Sequence, residues 1–232
     1  MKRKVVASDS AKGKVTGSIP AKGKLTASDP AKGKVAGSLS VKGKGGFWLK
    51  IENVVSFTSL GKKNPLIKIA NKLHEAEYSP ESFPGVVYRI KDPRAATLIF
   101  SSGKIVCTGA KGIALSKEAM RRVVDDIRKV GIPLPKKFHI KIENIVASTR
   151  IAVKGKLNLE EISFSLDNVE YEPEQFPGLV CRIPEPRVAF LVFGSGKIIC
   201  TGGRTVDNIH EALGKLKQRL EKIGIKVRPM QN

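Results

Sequence analysis

Apolar and polar positions alternate over Leu49 to Glu52 within Phe47 to Val55 (FWLKIENVV), and over Phe138 to Glu143 within Phe138 to Val146 (FHIKIENIV). A period of two predicts a strand in each place. A short amphipathic helix is expected after each strand, near Pro65–Leu73 and Leu157–Leu166. β-branched runs follow, divided by turn signals: FPG, then DPR or EPR, then SSG or GSG. Met120, Val123, Val124, Ile127 and Val130 repeat at helical spacing and close the first unit, with Ser116 read as N-cap and Gly131 beyond the last turn. Ile209, Leu213, Leu216, Leu220 and Ile223 close the second, ended by Gly224. This succession, used twice, predicts an α+β fold in which an antiparallel sheet carries helices on one face.

The duplication is explicit in the letters. EYSPESFPGVVYRIKDPRAATLIFSSGKIVCTG (Glu77 to Gly109) returns 93 residues later as EYEPEQFPGLVCRIPEPRVAFLVFGSGKIICTG (Glu170 to Gly202), with 22 of 33 paired positions identical. One domain-sized unit used twice predicts two-fold pseudo-symmetry, with repeats at 47–136 and 137–232 behind a leader at 1–46. Strand parity adds a physical demand. Thr97, Ile99, Ile105 and Cys107 share one face; Leu98, Phe100, Val106 and Thr108 share the other. In the second unit Phe190, Val192, Ile198 and Cys200 oppose Leu191, Phe193, Ile199 and Thr201. Both faces are largely apolar, whereas a sheet covered on one side should be polar on the other. Two strong helices are too few to cover both faces. One face is therefore expected to stay open as an apolar binding surface.

Charge says what such a surface would meet. The chain carries a formal +21; the first 46 residues hold 11 Lys/Arg and 2 Asp, leaving +12 on the remaining 186. A basic folded body points to a polyanion. A membrane is the weaker choice, because no apolar run approaches the ~18–20 residues that span one. The leader (AKGKVTGSIP, AKGKLTASDP, AKGKVAGSLS, VKGKGG) lacks a secretory apolar stretch and predicts disorder, either as a loose DNA arm or as a solvating extension. The expected location is inside the cell. Cys107, Cys181 and Cys200 show no CxxC spacing and read as buried reduced thiols. His74, His139 and His210 form no metal spacing, and no P-loop or nucleophile–base signature is present, so neither cofactor nor catalysis is expected.

Cations repeat beside the open face: Arg89, Arg94 and Lys104, then Arg182, Arg187 and Lys197. An apolar strip between two basic rims suits a duplex minor groove, with phosphates along its walls. Asn53 and Asn144 are equivalent, and an amide there can donate to the groove-edge acceptors of adenine or thymine. The plainer alternatives are strand-ending side-chain bonds for the asparagines and solvated rims for the cations.

Both units resemble the saddle-shaped core of the TATA-box-binding proteins from about Phe47 to Ile225, through EYxPExFPG, PR-x5-F-x-SGK and CTG, in order and twice. The near-equality of the units looks archaeal. The resemblance implies a ten-stranded antiparallel saddle with four helices on its convex face, and a general transcription initiation factor. It implies phenylalanine wedges at Phe83, Phe100, Phe176 and Phe193, and groove contacts by Asn53, Asn144, Val55, Leu98, Val106, Thr108, Val146, Leu191, Ile199 and Thr201. The six cations become phosphate contacts, and Glu172 and Glu174 match the acidic loop that holds transcription factor B, ahead of RNA polymerase. The implied setting is the archaeal cytoplasm and nucleoid, or a nucleus in a eukaryote. Without the family, a strand phenylalanine reads as core and the two glutamates as solubilising. An architectural chromatin protein is the rival reading, and an enzyme borrowing a saddle domain a more distant one. The chain is expected as a monomer on DNA, with a homodimer of the free protein through its apolar underside left open. Ser82 departs from the basic residue common before the first wedge, and the Lys-rich leader is no family hallmark.

Overall fold

The computed structural model describes residues 40–43 and 46–230. The first predicted strand run forms β2 (Trp48–Ser59), preceded by the short β1 (Ser40–Lys42). After β2 come α1 (Leu66–Lys72), β3 (Ala76–Glu77), β4 (Gly85–Lys91), β5 (Arg94–Phe100), β6 (Lys104–Ala110) and α2 (Ile113–Lys129). The second pass is β7 (Lys141–Ala152), α3 (Leu159–Ser165), β8 (Val169–Glu170), β9 (Gly178–Ile183), β10 (Val188–Phe193), β11 (Lys197–Gly203) and α4 (Val206–Lys222), with β12 (Arg228–Met230) at the end. All pairings are antiparallel, in the order β3-β4-β5-β6-β2-β7-β11-β10-β9-β8, an open saddle-like sheet symmetric about the β2–β7 seam. This is the expected ten-strand path. β1 pairs with β2 and β12 with β7, making twelve strands. β1 corrects the expectation of disorder for residues 40–42; residues 1–39 of the leader lie outside the described residues.

Side-chain alternation decides where the core sits. Along β5, Ala95, Thr97 and Ile99 are buried while Ala96, Leu98 and Phe100 are half-exposed. Along β10 the buried set is Val188, Phe190 and Val192. The buried rows face the helices. Leu66, Ile69, Met120, Val123, Val124 and Ile127 cover Val86, Ile99, Ile105 and Cys107. Leu159, Ile162, Ile209, Leu213 and Leu216 cover the second set. Each fully buried aliphatic side chain stabilises the fold by roughly 1.5–3 kcal/mol. The seam strands exchange sides. Phe47, Leu49 and Ile51 pack into the core under α4, while Phe138 and Ile140 pack against the core under α2.

The long helices end as the sequence predicts. Gly131 (φ 80°) and Gly224 (φ 85°) take left-handed conformations, and the next amides reach back to Ile127 and Leu220. The start of α2 differs. Gly112 is the N-cap, and Ser116 lies inside the first turn, buried, with its hydroxyl 2.8 Å from Ser56 Oγ. The helix begins a turn earlier because Ser116 finds its partner on the sheet beneath. In α4, Thr205 caps by accepting from the Asn208 amide. The DPR and EPR turns contain cis bonds at Asp92–Pro93 and Glu185–Pro186.

Candidate nucleic-acid interface

The row left uncovered by the helices is apolar in each half and turns polar at the seam, where Ile199 meets Ser148, Ser148 meets Lys50, and Glu52 binds both. Leu98 of β5 lies between its cross-strand neighbours Val87 and Val106, and Val106 meets Phe57. In the other half Leu191 lies between Val180 and Ile199. Val55 and Val146 fill the seam. All of these are half-exposed, against fully buried neighbours such as Val54, Ile105 and Ile198. Val87, Val180 and Phe57 were not anticipated. Their alternation was readable, but the register that lines them up was not. Phe57 has Ser148 as its counterpart, so the two halves of the floor differ there.

At the outer ends the phenylalanines come in pairs. Phe83 and Phe100 meet edge to face with centroids 5.8 Å apart at 60°, and Phe176 and Phe193 do so at 5.8 Å and 65°. Phe176 is 37 % exposed, and none of the four belongs to the buried core. A short turn delivers the first ring of each pair. The Ser79 carbonyl accepts from the Ser82 and Phe83 amides, and the Glu172 carbonyl from those of Gln175 and Phe176. The FPG glycine makes room. A Cβ on Gly85 would stand 2.9 Å from the Phe83 ring, and one on Gly178 2.7 Å from Phe176.

Near the seam each asparagine is clamped. Asn53 Oδ1 accepts from the Gly109 amide at 2.7 Å, and its Nδ2 donates to Thr108 Oγ1 at 3.1 Å. Asn144 repeats this with Gly202 (2.7 Å) and Thr201 (3.1 Å). A backbone amide can only donate, so the amide oxygen must face it, and the second Nδ2 hydrogen has no partner among the described residues. The CTG motif thus has three jobs: Cys107 and Cys200 enter the core, the threonine holds the amide, and the glycine takes φ 93° or 101° at a register shift. Strand-ending bonds and an available donor coexist in one residue.

The cations lie around this face, all exposed. Arg89 pairs with Glu77 at 2.8 Å and Arg182 with Glu170 at 2.7 Å. Both pairs are more than half exposed, so each contributes about 0–1 kcal/mol and yields readily to a competing anion. Lys104 Nζ stands 5.0 Å over the Phe57 ring. A cleft of about 610 Å³ opens beside Asn53 between Arg89, Arg94 and Thr108. Among the described residues Arg94, Arg187 and Lys197 have no acidic partner, and Glu172 and Glu174 stand exposed without an ion pair. The three cysteines are free and buried; burial pushes the Cys107 thiol up to about 11 and raises Cys181 and Cys200 as well. No helix among the described residues is long and apolar enough to cross a membrane, and none of their His, Cys, Asp and Glu side chains form a group that could hold a metal.

The family model described as "Transcription factor TFIID (or TATA-binding protein, TBP)" matches residues 48–130 and again 139–223. The chain belongs to the TATA-box-binding protein family. The TATA-box-binding protein of Methanosphaera stadtmanae is 51 % identical over 173 residues, 74 % of this chain and 93 % of that one. That of Archaeoglobus fulgidus is 43 % identical over 177 residues, 76 % and 97 % of the two chains. In three dimensions the Methanococcus jannaschii TBP superposes with a TM-score of 0.70 at 40 % identity, over 75 % of this chain and 98 % of that one. The family is one of transcription factors, not of enzymes. Its match begins at residue 48, so the Lys-rich leader lies outside it.

Proposed function

We propose that this chain is a general transcription initiation factor that binds A·T-rich promoter DNA in the minor groove and bends it. The observation that supports the reading is the half-exposed apolar floor of each half, with a ring pair at its outer end and a clamped amide donor near the seam. Between β5 and β10 lie five inter-strand steps, about 24 Å of sheet at roughly 4.8 Å each. That is the rise of about seven base pairs at roughly 3.4 Å. Apolar side chains fit a groove only once it is opened and flattened. Phe83, Phe100, Phe176 and Phe193 stand at the ends to wedge base steps apart, a mode of which TATA-binding proteins are the standard example. Asn53 and Asn144 donate to adenine or thymine acceptors. Val55, Val146, Leu98, Val106, Thr108, Leu191, Ile199 and Thr201 lie along the floor, and the six cations take phosphates.

Selectivity then comes mainly from which sequences unstack and bend at low cost. Fluorescence anisotropy against A·T-rich and G·C-rich duplexes tests this. The A·T-rich duplex should bind more tightly, with a log–log salt slope of about −5 from six phosphate contacts. Equal affinity for both duplexes would instead favour an architectural chromatin protein, and a slope near zero would remove the phosphate contacts.

The exposed Glu172 and Glu174 are proposed to hold transcription factor B, which brings RNA polymerase. Glu172→Arg should leave binary DNA binding intact and weaken the ternary complex about tenfold in a mobility-shift titration, the loss of about one ion pair at a partly desolvated contact. Loss of binary binding would reject the partner role. The working location is wherever the cell keeps its promoters, in the cytoplasm and nucleoid for an archaeal protein.

A further inference from the structure

β1 joins the sheet beside a buried histidine. It pairs Ser40 with Lys50, Val41 with Leu49 and Lys42 with Trp48. The turn that follows is closed by the Gly43 amide on the Phe47 carbonyl (3.1 Å) and the Gly46 amide on the Gly43 carbonyl (3.3 Å). This brings Gly43 against His210 of α4, so close that a Cβ on it would stand 2.0 Å from the ring. His210 is 9 % exposed, and neither ring nitrogen has a hydrogen-bond partner among the described residues. Its counterpart in the first unit is a lysine, Lys117, which is half-exposed. Where that unit has a permanent cation, the second has the one side chain that changes charge near neutral pH.

The covered ring must be neutral. Protonated, it carries two N–H donors and a charge, and burying those without an acceptor is costly. The hairpin offers no carboxylate: Ser40 to Lys50 contains no Asp or Glu and brings only Lys42, Lys44 and Lys50. Lys42 Nζ stands 5.6 Å over the Trp48 ring, and Lys50 is tied to Glu52 at 3.0 Å. Arg204, just ahead of α4, is tied to Glu143 at 3.1 Å. Burial pushes the His210 imidazole below its ordinary range, against the pull of Asp207 on the same helix.

We infer that β1 is a strap latched by the neutral form of His210, and that a proton taken up by that ring releases residues 40–43 from β2 and α4. The sign follows from the burial. A histidine held below its ordinary range stabilises the latched form fully above about pH 6.5, and that contribution is lost as the pH falls through and below this value. Release bares the His210 face of α4 and the backbone edge of Trp48–Lys50 together, and an unpaired edge is a template for another strand. Gly43 is the residue that lets the latch close, since any side chain there would meet the ring.

The molecule carries its own reporter. Trp48, its only tryptophan, pairs with Lys42 of β1, so its emission should move to the red when the strap leaves. Titration of the full chain from neutral to mildly acidic pH should give a reversible red shift with its midpoint below about 6.5, at constant helical circular dichroism. His210→Leu keeps the site apolar and cannot be protonated, so the shift should vanish. Gly43→Val, outside both buried cores, should be red-shifted at every pH. Proton resonance of the His210 ring adds a readout independent of the tryptophan: its midpoint should rise in Gly43→Val toward the ordinary value of about 6.5. Constant emission in the wild-type chain, the same shift in His210→Leu, or equal His210 midpoints in the wild-type and Gly43→Val chains would overturn the inference. A parallel loss of helical circular dichroism would do so too, and would make the transition one of global unfolding.

Discussion

At the scale of single residues, the site depends on side chains whose orientation is imposed by a neighbour. Asn53 and Asn144 would be ambiguous on their own; the Gly109 and Gly202 amides settle that Oδ1 is the atom turned to the strand. Thr108→Val keeps the shape and removes the hydroxyl that holds the Asn53 amide. A typical net hydrogen bond is about 1 kcal/mol. The variant should therefore fold normally and bind an A·T-rich duplex about fivefold more weakly by anisotropy. An unchanged affinity would show that the amide needs no clamp. The letters CTG were conspicuous in the sequence, but their division of labour was not. That division depends on a register shift between strands, which no local pattern reports. The paired rings were half legible: Phe100 follows from parity, whereas Phe83 sits in a turn whose course only the Ser79 carbonyl bonds reveal.

At the scale of elements, apolar patterning located β2, β7 and the four helices, and β-branched runs between turn signals marked the remaining long strands without their bounds. It failed where a tertiary partner outweighed a local signal. Ser116 has the chemistry of a cap, yet Ser56 binds its hydroxyl from the sheet, and α2 extends back to Gly112. The leader's composition predicts a chain unable to bury itself. Three of its residues nevertheless join the sheet, because β2 offers an unpaired edge and Gly43 clears the His210 ring. Composition describes a segment in isolation, and an edge supplied by another part of the fold lies outside it. The crossing of Phe47 and Leu49 into the core under α4 was equally hidden, since the apolar alternation of β2 is the same whichever helix it meets.

At the scale of the whole molecule, duplication explains both the size and the openness of the surface. Two units joined through β2 and β7 make one continuous sheet, and helices on a single side leave its other face bare. An apolar face of that extent costs free energy in water, and such faces mark interaction sites. The partner proposed for it is a duplex forced to bend. That proposal is tested most directly by fluorescence transfer between dyes at the two ends of an A·T-rich duplex, with binding followed in parallel by anisotropy. Transfer should rise when the chain binds, and the rise should shrink in Phe100→Ala/Phe193→Ala at saturating protein. A duplex that is bound, yet shows the end-to-end transfer of free DNA, would contradict the account.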